Sequence, residues 1–472
     1  MNQPLTLLIK HPPTFENERL YAFHVILKEF LGLDYRSIAE ERQDVLITMN
    51  DTEGPELLVS DVLFQTPTDK WIKVDSLPVQ PLETFDLAQV PVDIACVNPI
   101  IPIIYGSRLD GGDYINVQDA KIELGIDIFG SAFFMLTRYE EIVKKDRDQH
   151  ERFPAIASFA YQEGFLERPI VNEYLEILWW SMKRLWPNLE RKKREFQVYL
   201  SHDVDWPLGI AGNNPLRVLK TGAGDVLKRK DFYLSMHRLK SLAKVSMGNV
   251  DADINNTFDF IMDLSERKGL RSAFYFIADH TAGEVDGIYD LDNPWIRKLM
   301  RKIHKRGHEI GFHGSYNSFR NPDQIEKEFK RLISVTEEEK IYQESWGGRQ
   351  HYLRWEAPAT WQAWEEAGLT YDSTLTYADH VGFRCGVCFE YPVFNLLQRK
   401  TLKLRERPLI IMEGSMLGGQ YMGLSHEKSL SLIQKLAQTC KMFNGDFTLL
   451  WHNSSLVSGK DRELYGKMLV GI

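Results

Sequence analysis

Short apolar runs alternate with amphipathic segments over the C-terminal part of the chain. Six apolar runs have the length of buried strands: Phe196–Ser201, Ser272–Ile277, Glu309–Phe312, Tyr371–Thr374, Leu409–Met412 and Phe447–Trp451. Five segments with helical periodicity lie between several of them: Asn256–Lys268, Pro294–Arg306, Pro322–Val335, Pro358–Ala367 and Glu427–Phe443. Repeated strand–helix units predict a parallel sheet, and this number of strands predicts a barrel or partial barrel.

The first part of the chain shows a different pattern, with strand-like runs and helices that do not alternate regularly. Strand-like runs occur at Val45–Met49 and Ile100–Tyr105, and helical patterns occupy Asp127–Val143 and Ile170–Trp186. The strongly charged segment Asn188–Glu195 follows, and we interpret it as a solvated linker.

The length of the chain predicts two domains, because 472 residues exceed what one hydrophobic core usually supports. We place the boundary at the charged linker. A smaller α/β domain of unknown role then covers residues 1–190, and a second α/β domain covers residues 196–472.

Polar residues follow the apolar runs at five separate places. HDVD follows the first run, HGSYN the third, DST the fourth, MEGS the fifth and WHNSS the last. In parallel barrels, chemistry is assembled at the carboxyl ends of the strands. Five strands that deliver Asp, His or Glu at this end indicate a functional cavity.

Asp203 and Asp205 stand two residues apart, so that both carboxylates point to one face of an extended strand. Two carboxylates in one pocket repel each other unless a cation or a proton separates them. A metal ion on one carboxylate, with the other kept as a general base, satisfies this condition. The structural alternative is an Asx turn with a helix cap, which the preceding apolar run QVYLS disfavours.

Histidines alone are weaker evidence. His313 and His452 each follow an apolar strand end, where a hydrogen-bonded structural histidine is more common than a ligand. His308 begins its strand and is interpreted as structural, and His202 stays unassigned. The CxxC pair Cys385 and Cys388 precedes FEYP, which is no helix start, so a redox site is not favoured.

Composition excludes several classes of protein. A net charge of −9 disfavours nucleic acid as a partner. No apolar run is long enough to cross a bilayer, and the N-terminus is too polar for a signal peptide, which predicts a cytoplasmic protein without a membrane span. The nucleophile elbow GxSxG, the phosphate loop GxxxxGK[ST] and the dinucleotide motif GxGxxG are missing from the sequence.

Taken together, these segments resemble the polysaccharide deacetylases of carbohydrate esterase family 4, the NodB-homology domain. The matching motifs are LSHDVDW (Asp203, Asp205), GHEIGFHGSYN (His313, Asn317), RQHYLRWEAP (Arg349, Arg354), YDSTLTYADH (Asp372, Asp379) and LLWHN (Leu450, His452). Their order and approximate spacing agree with the family over the part of the chain after residue 196. The resemblance extends to a bacterial subgroup that carries an extra N-terminal domain.

This resemblance implies a distorted (β/α) barrel and a hydrolase that removes an acetyl group from an N-acetylated sugar or polysaccharide. It implies a divalent metal, with zinc as the expected ion, held by Asp205, His313 and the position of Asn317. It also implies Asp203 as general base and His452 as general acid. Arg354, or alternatively Arg349, would orient Asp203.

One departure from the family affects the metal. The second histidine of the family's HxxxH motif is Asn317 here, and an amide oxygen is a poorer zinc ligand than imidazole. Three alternatives stay open: Asn317 ligates a weakly bound metal, another group such as His351 fills the position, or the metal is absent and the domain binds sugar without cleaving it. We expect further substrate contacts from four residues: Trp206, Arg349, His351 and Asp379.

Two other functions are compatible with these motifs. One is a glycan-binding protein in which the cavity survives without catalysis. The other is a hydrolase of a small cyclic amide or ureide, which would use the same residues in a smaller pocket. The presence of both Asp203 and His452 favours an enzyme, since a binding protein needs no acid–base pair. The oligomeric state is left open by the sequence.

Overall fold

The mixed α/β class predicted from the sequence is confirmed by the computed structural model, which describes residues 6–49, 54–90, 94–227 and 231–472. The chain divides into two compact units. Unit 1 consists of residues 1–196, 382–408 and 439–446, and unit 2 of residues 197–381, 409–438 and 447–472. Each unit therefore contains three separate segments of chain, whereas the sequence led us to expect one boundary near residue 190.

The strands, in chain order, are β1 (Leu7–His11), β2 (Tyr35–Ala39), β3 (Asp44–Met49), β4 (Glu56–Ser60), β5 (Glu83–Asp86), β6 (Ile100–Ile103), β7 (Ile115–Val117), β8 (Lys121–Leu124), β9 (Gln197–Val204), β10 (Ser272–Ile277), β11 (Glu309–Gly314), β12 (Gly347–Gln350), β13 (Tyr371–Asp372), β14 (Tyr391–Asn395), β15 (Lys400–Glu406), β16 (Ile411–Met412) and β17 (Asp446–Leu450). The α-helices are α1 (Glu16–Phe23), α2 (Ile128–Leu136), α3 (Tyr139–Val143), α4 (Phe159–Gln162), α5 (Ile170–Leu185), α6 (Pro215–Leu227), α7 (Phe232–Ser246), α8 (Phe258–Arg267), α9 (Pro294–Lys305), α10 (Pro322–Glu338), α11 (Ala359–Ala367), α12 (Glu413–Leu417), α13 (His426–Met442) and α14 (Gly459–Gly471). A π-helical segment, His24–Phe30, continues α1. Single-turn 3-10 helices occur at Leu63–Gln65, Thr68–Lys70, Val74–Ser76, Leu87–Gln89, Ala155–Ala157, Val250–Ala252, Gly283–Asp286, His351–Leu353 and Asn453–Ser455.

Unit 1 is built on a six-stranded sheet with the order β2-β1-β3-β4-β8-β7. Its pairings are mixed, since β1/β2 and β4/β8 are parallel and the other pairs are antiparallel. Helices α2 and α5 are the apolar helices predicted from the sequence. The first of these patterns is interrupted at Arg138, which has a left-handed φ of 54° and separates α2 from α3.

Unit 2 contains seven strands in the order β13-β12-β11-β10-β9-β17-β16. The pairs from β9 through β13 are parallel, as is β16/β17. All six apolar runs of the sequence are strands, and β12 joins them between β11 and β13. This sheet is curled like half a barrel, which agrees in part with the distorted (β/α) barrel that the motif resemblance implies, and a full barrel is not shown by the described pairings.

The helices predicted in this part are present with small shifts at their ends. Pro294 and Pro322 lie in the first turns of α9 and α10, where Asn293 and Asn321 cap the helices. A missing N–H has no cost at these positions. Helices α6 and α7 were not predicted, and they pack against each other as a helical hairpin between β9 and β10.

Gly348 of β12 pairs with Phe312 of the parallel strand β11. A Cβ atom at this glycine would lie 1.7 Å from the carbonyl oxygen of Phe312, the residue before His313. The neighbour is backbone and cannot move aside as a side chain could. Glycine is therefore required at this position for the pairing of β11 with β12.

We expect Gly348→Ala to lower the free energy of unfolding by about 1–3 kcal/mol, the usual cost of overpacking. The matched control is Gly466→Ala in helix α14, where an added Cβ meets nothing within 4 Å. This control should be neutral or stabilising, because alanine favours helix by about 0.5–1 kcal/mol over glycine. Denaturant titration of both variants measures the difference, and equal stabilities would contradict the argument.

Candidate metal centre

Parallel strands bring the polar strand ends of unit 2 to one edge of its sheet. Asp203 lies in β9 and Asp205 directly follows this strand, while His313 lies near the end of β11. His351 comes directly after β12, whose register sets Arg349 opposite His313. Adjacent strands therefore deliver carboxylate and imidazole groups to the same place.

Three of these side chains converge closely. Asp205, His313 and His351 each offer one ligand atom, and these atoms all lie within 4.8 Å of one another. His313 Nε2 is 3.1 Å from Asp205 Oδ1, and His351 Nε2 is 3.7 Å from Asp205 Oδ2. Both histidines are buried. We call these three residues the triad.

The outer nitrogens of both triad histidines are held by acceptors. His313 Nδ1 lies 2.8 Å from the carbonyl oxygen of Arg349, and His351 Nδ1 lies 2.8 Å from Asp286 Oδ1. Since each acceptor can only receive a hydrogen, Nδ1 carries the proton in both rings. The Nε2 atoms are then oriented toward Asp205, an arrangement that metal-binding histidines commonly show.

The charges of the triad are strongly linked. Burial alone raises the pKa of Asp205, but His351, His313 and His452 outweigh it and hold this pKa well below its usual range. Burial lowers the pKa of His351, but Asp205 and Asp286 raise it to about 9. A cation at this position would take the place of that proton.

The donor set fits a divalent metal ion. Asp205 Oδ1 and His313 Nε2 are buried and lie 3.1 Å apart, and neither atom makes a hydrogen bond of good geometry among the described residues. Burial of such atoms is costly unless a partner is present. One carboxylate and two imidazoles form a set that zinc accepts, with a fourth position left for water or substrate.

Arg349 is fully buried and holds the other carboxylate. Its Nη1 donates to Asp203 Oδ1 at 2.6 Å, and its Nη2 donates to Ser201 Oγ at 2.9 Å. Its Nε donates to the carbonyl oxygen of Ser373 at 2.8 Å. Asp203 Oδ2 lies 3.7 Å from His313 Nε2, so this second oxygen faces the triad.

His452 is a further histidine close to Asp205, and its partners hold it in the protonated form. Its Nδ1 is 2.7 Å from Glu413 Oε1, and its Nε2 is 3.5 Å from Asp205 Oδ2. Burial lowers the pKa of His452, but Glu413, Asp205 and Asp203 raise it to about 10. Its side chain is 21% exposed, enough to meet a ligand.

Asn317 and Arg354 occupy places other than those expected from the family motif. The exposed Asn317 donates from Nδ2 to the carbonyl oxygen of Thr281 at 3.0 Å, and its Oδ1 accepts from Arg354 at 3.1 Å. Arg354 also donates to the carbonyl oxygen of Tyr316 at 2.6 Å. The arginine on Asp203 is therefore Arg349, and the third donor of the triad is His351 instead of Asn317.

The remaining expected contacts are less central. Trp206 is half-buried and directly follows Asp205, and its carbonyl oxygen accepts from Asn255 and Asn453. Asp379 is half-buried, with Oδ2 3.4 Å from His380 Nδ1. Neither arrangement identifies a substrate contact.

Two buried histidines outside the triad make hydrogen bonds within the core. His202 Nδ1 lies 2.6 Å from the carbonyl oxygen of Trp451, and His308 Nδ1 accepts from the amide of Ser272 at 3.1 Å. Cys385 and Cys388 are free thiols in the core, and burial raises the pKa of Cys385 to about 12.

Sequence reasoning missed two carboxylates that support the site. Glu413 follows strand β16 in the segment MEGS, whose position after an apolar run could have identified it. Asp286 ends the 3-10 helix Gly283–Asp286 and receives hydrogen bonds from the amides of Tyr316 and Ala282 in addition to His351. Nothing in the sequence around Asp286 distinguishes it from an ordinary loop residue.

Comparisons with known proteins give limited information. A model described as a family of unknown function (DUF7033) matches residues 7–187. No curated protein matches the chain. A crystal structure assigned as a polysaccharide deacetylase from Mycobacterium smegmatis is similar at a TM-score of 0.37 and 15% identity, covering 60% of this chain and 85% of that chain. A similarity of this size carries no inference about activity. Within the described residues, no helix has both the length and the apolar character needed to cross a bilayer.

The geometry of the triad predicts which substitutions alter metal binding. We expect His351→Ala to weaken zinc binding by more than about 100-fold, because it removes a donor. The control Asn317→Ala should stay within a few-fold of the parent protein. Calorimetric titration of the three proteins at one pH measures both effects. A large loss in Asn317→Ala with none in His351→Ala would reverse the assignment.

Proposed function

We propose that this protein is a metal-dependent hydrolase that removes the acetyl group from an N-acetylated sugar or polysaccharide. The observation that carries the proposal is the triad, in which one carboxylate and two imidazoles, each with an atom free to ligate, converge within 4.8 Å. A general base candidate and a general acid candidate flank it. The amide of an N-acetylated sugar as substrate is supported by the motif resemblance in the sequence.

Asp205, His313 and His351 would hold the metal, with zinc as the expected ion. When bound, such an ion polarises the acyl carbonyl group and lowers the pKa of a nearby water molecule. The donor set of the triad has the number of protein ligands that hydrolytic zinc sites use.

Asp203 is suited to the role of general base. Arg349 holds Oδ1, which leaves Oδ2 toward the triad to accept a proton from the attacking water. Because Arg349 also binds Ser201 and Ser373, the carboxylate is fixed before substrate arrives. Arg349 therefore acts as a positioning residue.

His452 is suited to the role of general acid. Glu413 accepts from Nδ1 and stabilises the charged imidazolium, so that Nε2 carries a proton at neutral pH. This proton can pass to the nitrogen of the leaving amine when the carbon–nitrogen bond breaks. Glu413 also accepts from the amide of His452 and from Ser455, which fixes the ring.

A glycan-binding protein without catalysis is the weaker proposal. Its support was the replacement of the second motif histidine by Asn317. His351 supplies a third donor at the triad, which removes that support. The cyclic amide or ureide alternative uses the same residues, and the choice of substrates in the assay distinguishes it.

We also propose that residues 1–190 form the main part of an accessory N-terminal domain, which residues 382–408 and 439–446 complete. The support is the match of residues 7–187 to a single family model.

Asp203→Asn should lower turnover by about 10²- to 10⁴-fold, the usual contribution of a general base, and leave zinc affinity nearly unchanged. The asparagine retains an oxygen for Arg349. Asp205→Asn should lose both turnover and zinc binding. The control Asp323→Asn makes the same chemical change on an exposed helix end and should alter neither.

The assay measures acetate released from oligomers of N-acetylglucosamine, with zinc affinity measured separately. Full activity in Asp203→Asn would exclude this residue as the base. A second outcome is zinc binding with no acetate released from N-acetylated sugars but with ring opening of a cyclic ureide. This outcome would show that the metal site is correct and that the substrate is a cyclic ureide.

A further inference from the structure

The hairpin of α6 and α7 exposes an unusual amount of apolar surface. Nine of the 22 exposed large apolar side chains of the described residues lie in this hairpin or directly after it. They are Leu216, Leu219, Val226, Leu227, Phe232, Tyr233, Met236, Leu239 and Met247. We call them the apolar stripe. Contiguous exposed apolar patches commonly mark interaction surfaces.

Helical spacing puts the α6 members of the stripe on one face. Leu216, Leu219 and Leu227 stand three and eight residues apart, and Val226 lies beside Leu227. The opposite face buries Val218, which packs in a cluster with residues of the unit 2 core. The inner face of α6 thus packs against the core of unit 2, and its outer face exposes apolar side chains.

Helix α7 repeats this arrangement. Phe232, Met236 and Leu239 follow one another at spacings of four and three residues on the outer face. Leu234 on the inner face packs in the same cluster as Val218. An amphipathic helix on a protein core normally turns its polar side outward, so this second apolar side needs another partner.

The hairpin is held rigidly on its inner side. Arg238 donates to Asp225 at 2.8 Å across the two helices, and both side chains are largely buried. At the base, Asp253 accepts from the amides of Gly209, Ile210 and Ala211. The inner faces of both helices are therefore tied to each other and packed on unit 2, and the stripe lies on the other side.

Basic residues surround the stripe. The described residues 215–227 and 231–247 contain five Lys and Arg against two Asp, in a chain whose net charge is −9. Lys220, Lys240 and Lys244 are exposed. Of the two acids, Asp225 pairs inward with Arg238, and Asp231 caps α7 by accepting from the amide of Leu234. The charge presented beside the stripe is thus predominantly positive, with Arg217 paired to Glu284 at its border.

We propose that the α6–α7 hairpin docks on the surface of an anionic lipid bilayer. Apolar side chains flanked by lysines are typical of segments that lie in the membrane interface, where lysines contact anionic headgroups. The helices contain 13 and 15 residues, too few to cross the hydrocarbon core, so the hairpin lies on the surface. A second copy fits less well, because a symmetric contact would bring lysines against lysines.

The test uses the full-length protein and its sedimentation with lipid vesicles. We expect binding to phosphatidylcholine vesicles that contain about one third phosphatidylglycerol, and little binding to phosphatidylcholine alone. Added salt should weaken the binding, because screening acts on exposed charges. Leu227→Ser/Phe232→Ser should reduce the partition coefficient about tenfold or more.

Matched variants distinguish docking by the hairpin from nonspecific binding to vesicles. Val79→Ser/Val470→Ser removes two equally exposed apolar side chains elsewhere and should bind like the parent. Lys220→Glu/Lys240→Glu should weaken binding about tenfold or more, whereas Lys70→Glu/Lys73→Glu on another exposed surface should not. Circular dichroism and thermal melts should be unchanged in all four variants, since every substituted side chain is exposed.

Three results would overturn the proposal. The first is no binding to either kind of vesicle, and the second is equal loss in the hairpin and control variants. The third is concentration-dependent dimerisation without lipid that the hairpin variants abolish, which would assign the stripe to a second copy. None of these results bears on zinc binding or acetate release, so the hydrolase proposal stands or falls separately.

Discussion

Two buried carboxylates at the end of one strand set the main constraint on unit 2. Removing an ionised carboxylate from water costs several kcal/mol unless positive charge or hydrogen-bond donors compensate it. Asp203 obtains this compensation from Arg349, and Asp205 obtains it from the imidazoles around it. Since these partners come from neighbouring strands, the register of the parallel sheet and the chemistry of its edge depend on each other.

A second layer of residues fixes the first. The backbone of Arg349, the carboxylate of Asp286 and the carboxylate of Glu413 each hold one imidazole through its Nδ1. An imidazole that is held at one nitrogen has a defined direction for the other. The site is therefore preorganised by hydrogen bonds that lie behind the groups a ligand would meet.

The sequence allowed the strand ends of unit 2 to be predicted, because apolar runs followed by polar residues are a local pattern. Asp203, Asp205 and His313 lie together for this reason. The third donor could not be chosen from the sequence, because the family's HxxxH motif pointed to Asn317 and left His351 as an alternative. His351 follows β12, the strand next to β11, and the pairing of these strands brings it to the triad. Arg349 and Arg354 are both near the motif, and only the β11/β12 register distinguishes them. The α6–α7 hairpin escaped prediction because its apolar residues face outward and two glycines weaken its helical pattern.

The interleaved path of the chain has a consequence for synthesis on the ribosome. Unit 1 includes residues 382–408 and 439–446, and its core contains bonds between early and late residues. Arg384 donates to the buried carboxylate of Glu141, and the amide of Cys388 donates to Asn172. The nascent N-terminal segment can pair Glu141 with Arg138 at once, but it lacks the contacts from Arg384 and Cys388 until residues 382–408 have been synthesised. The core of unit 1 is therefore completed only after most of unit 2 has been synthesised. A fragment that ends near residue 190 would lack residues 382–408 and 439–446, and its core would stay incomplete.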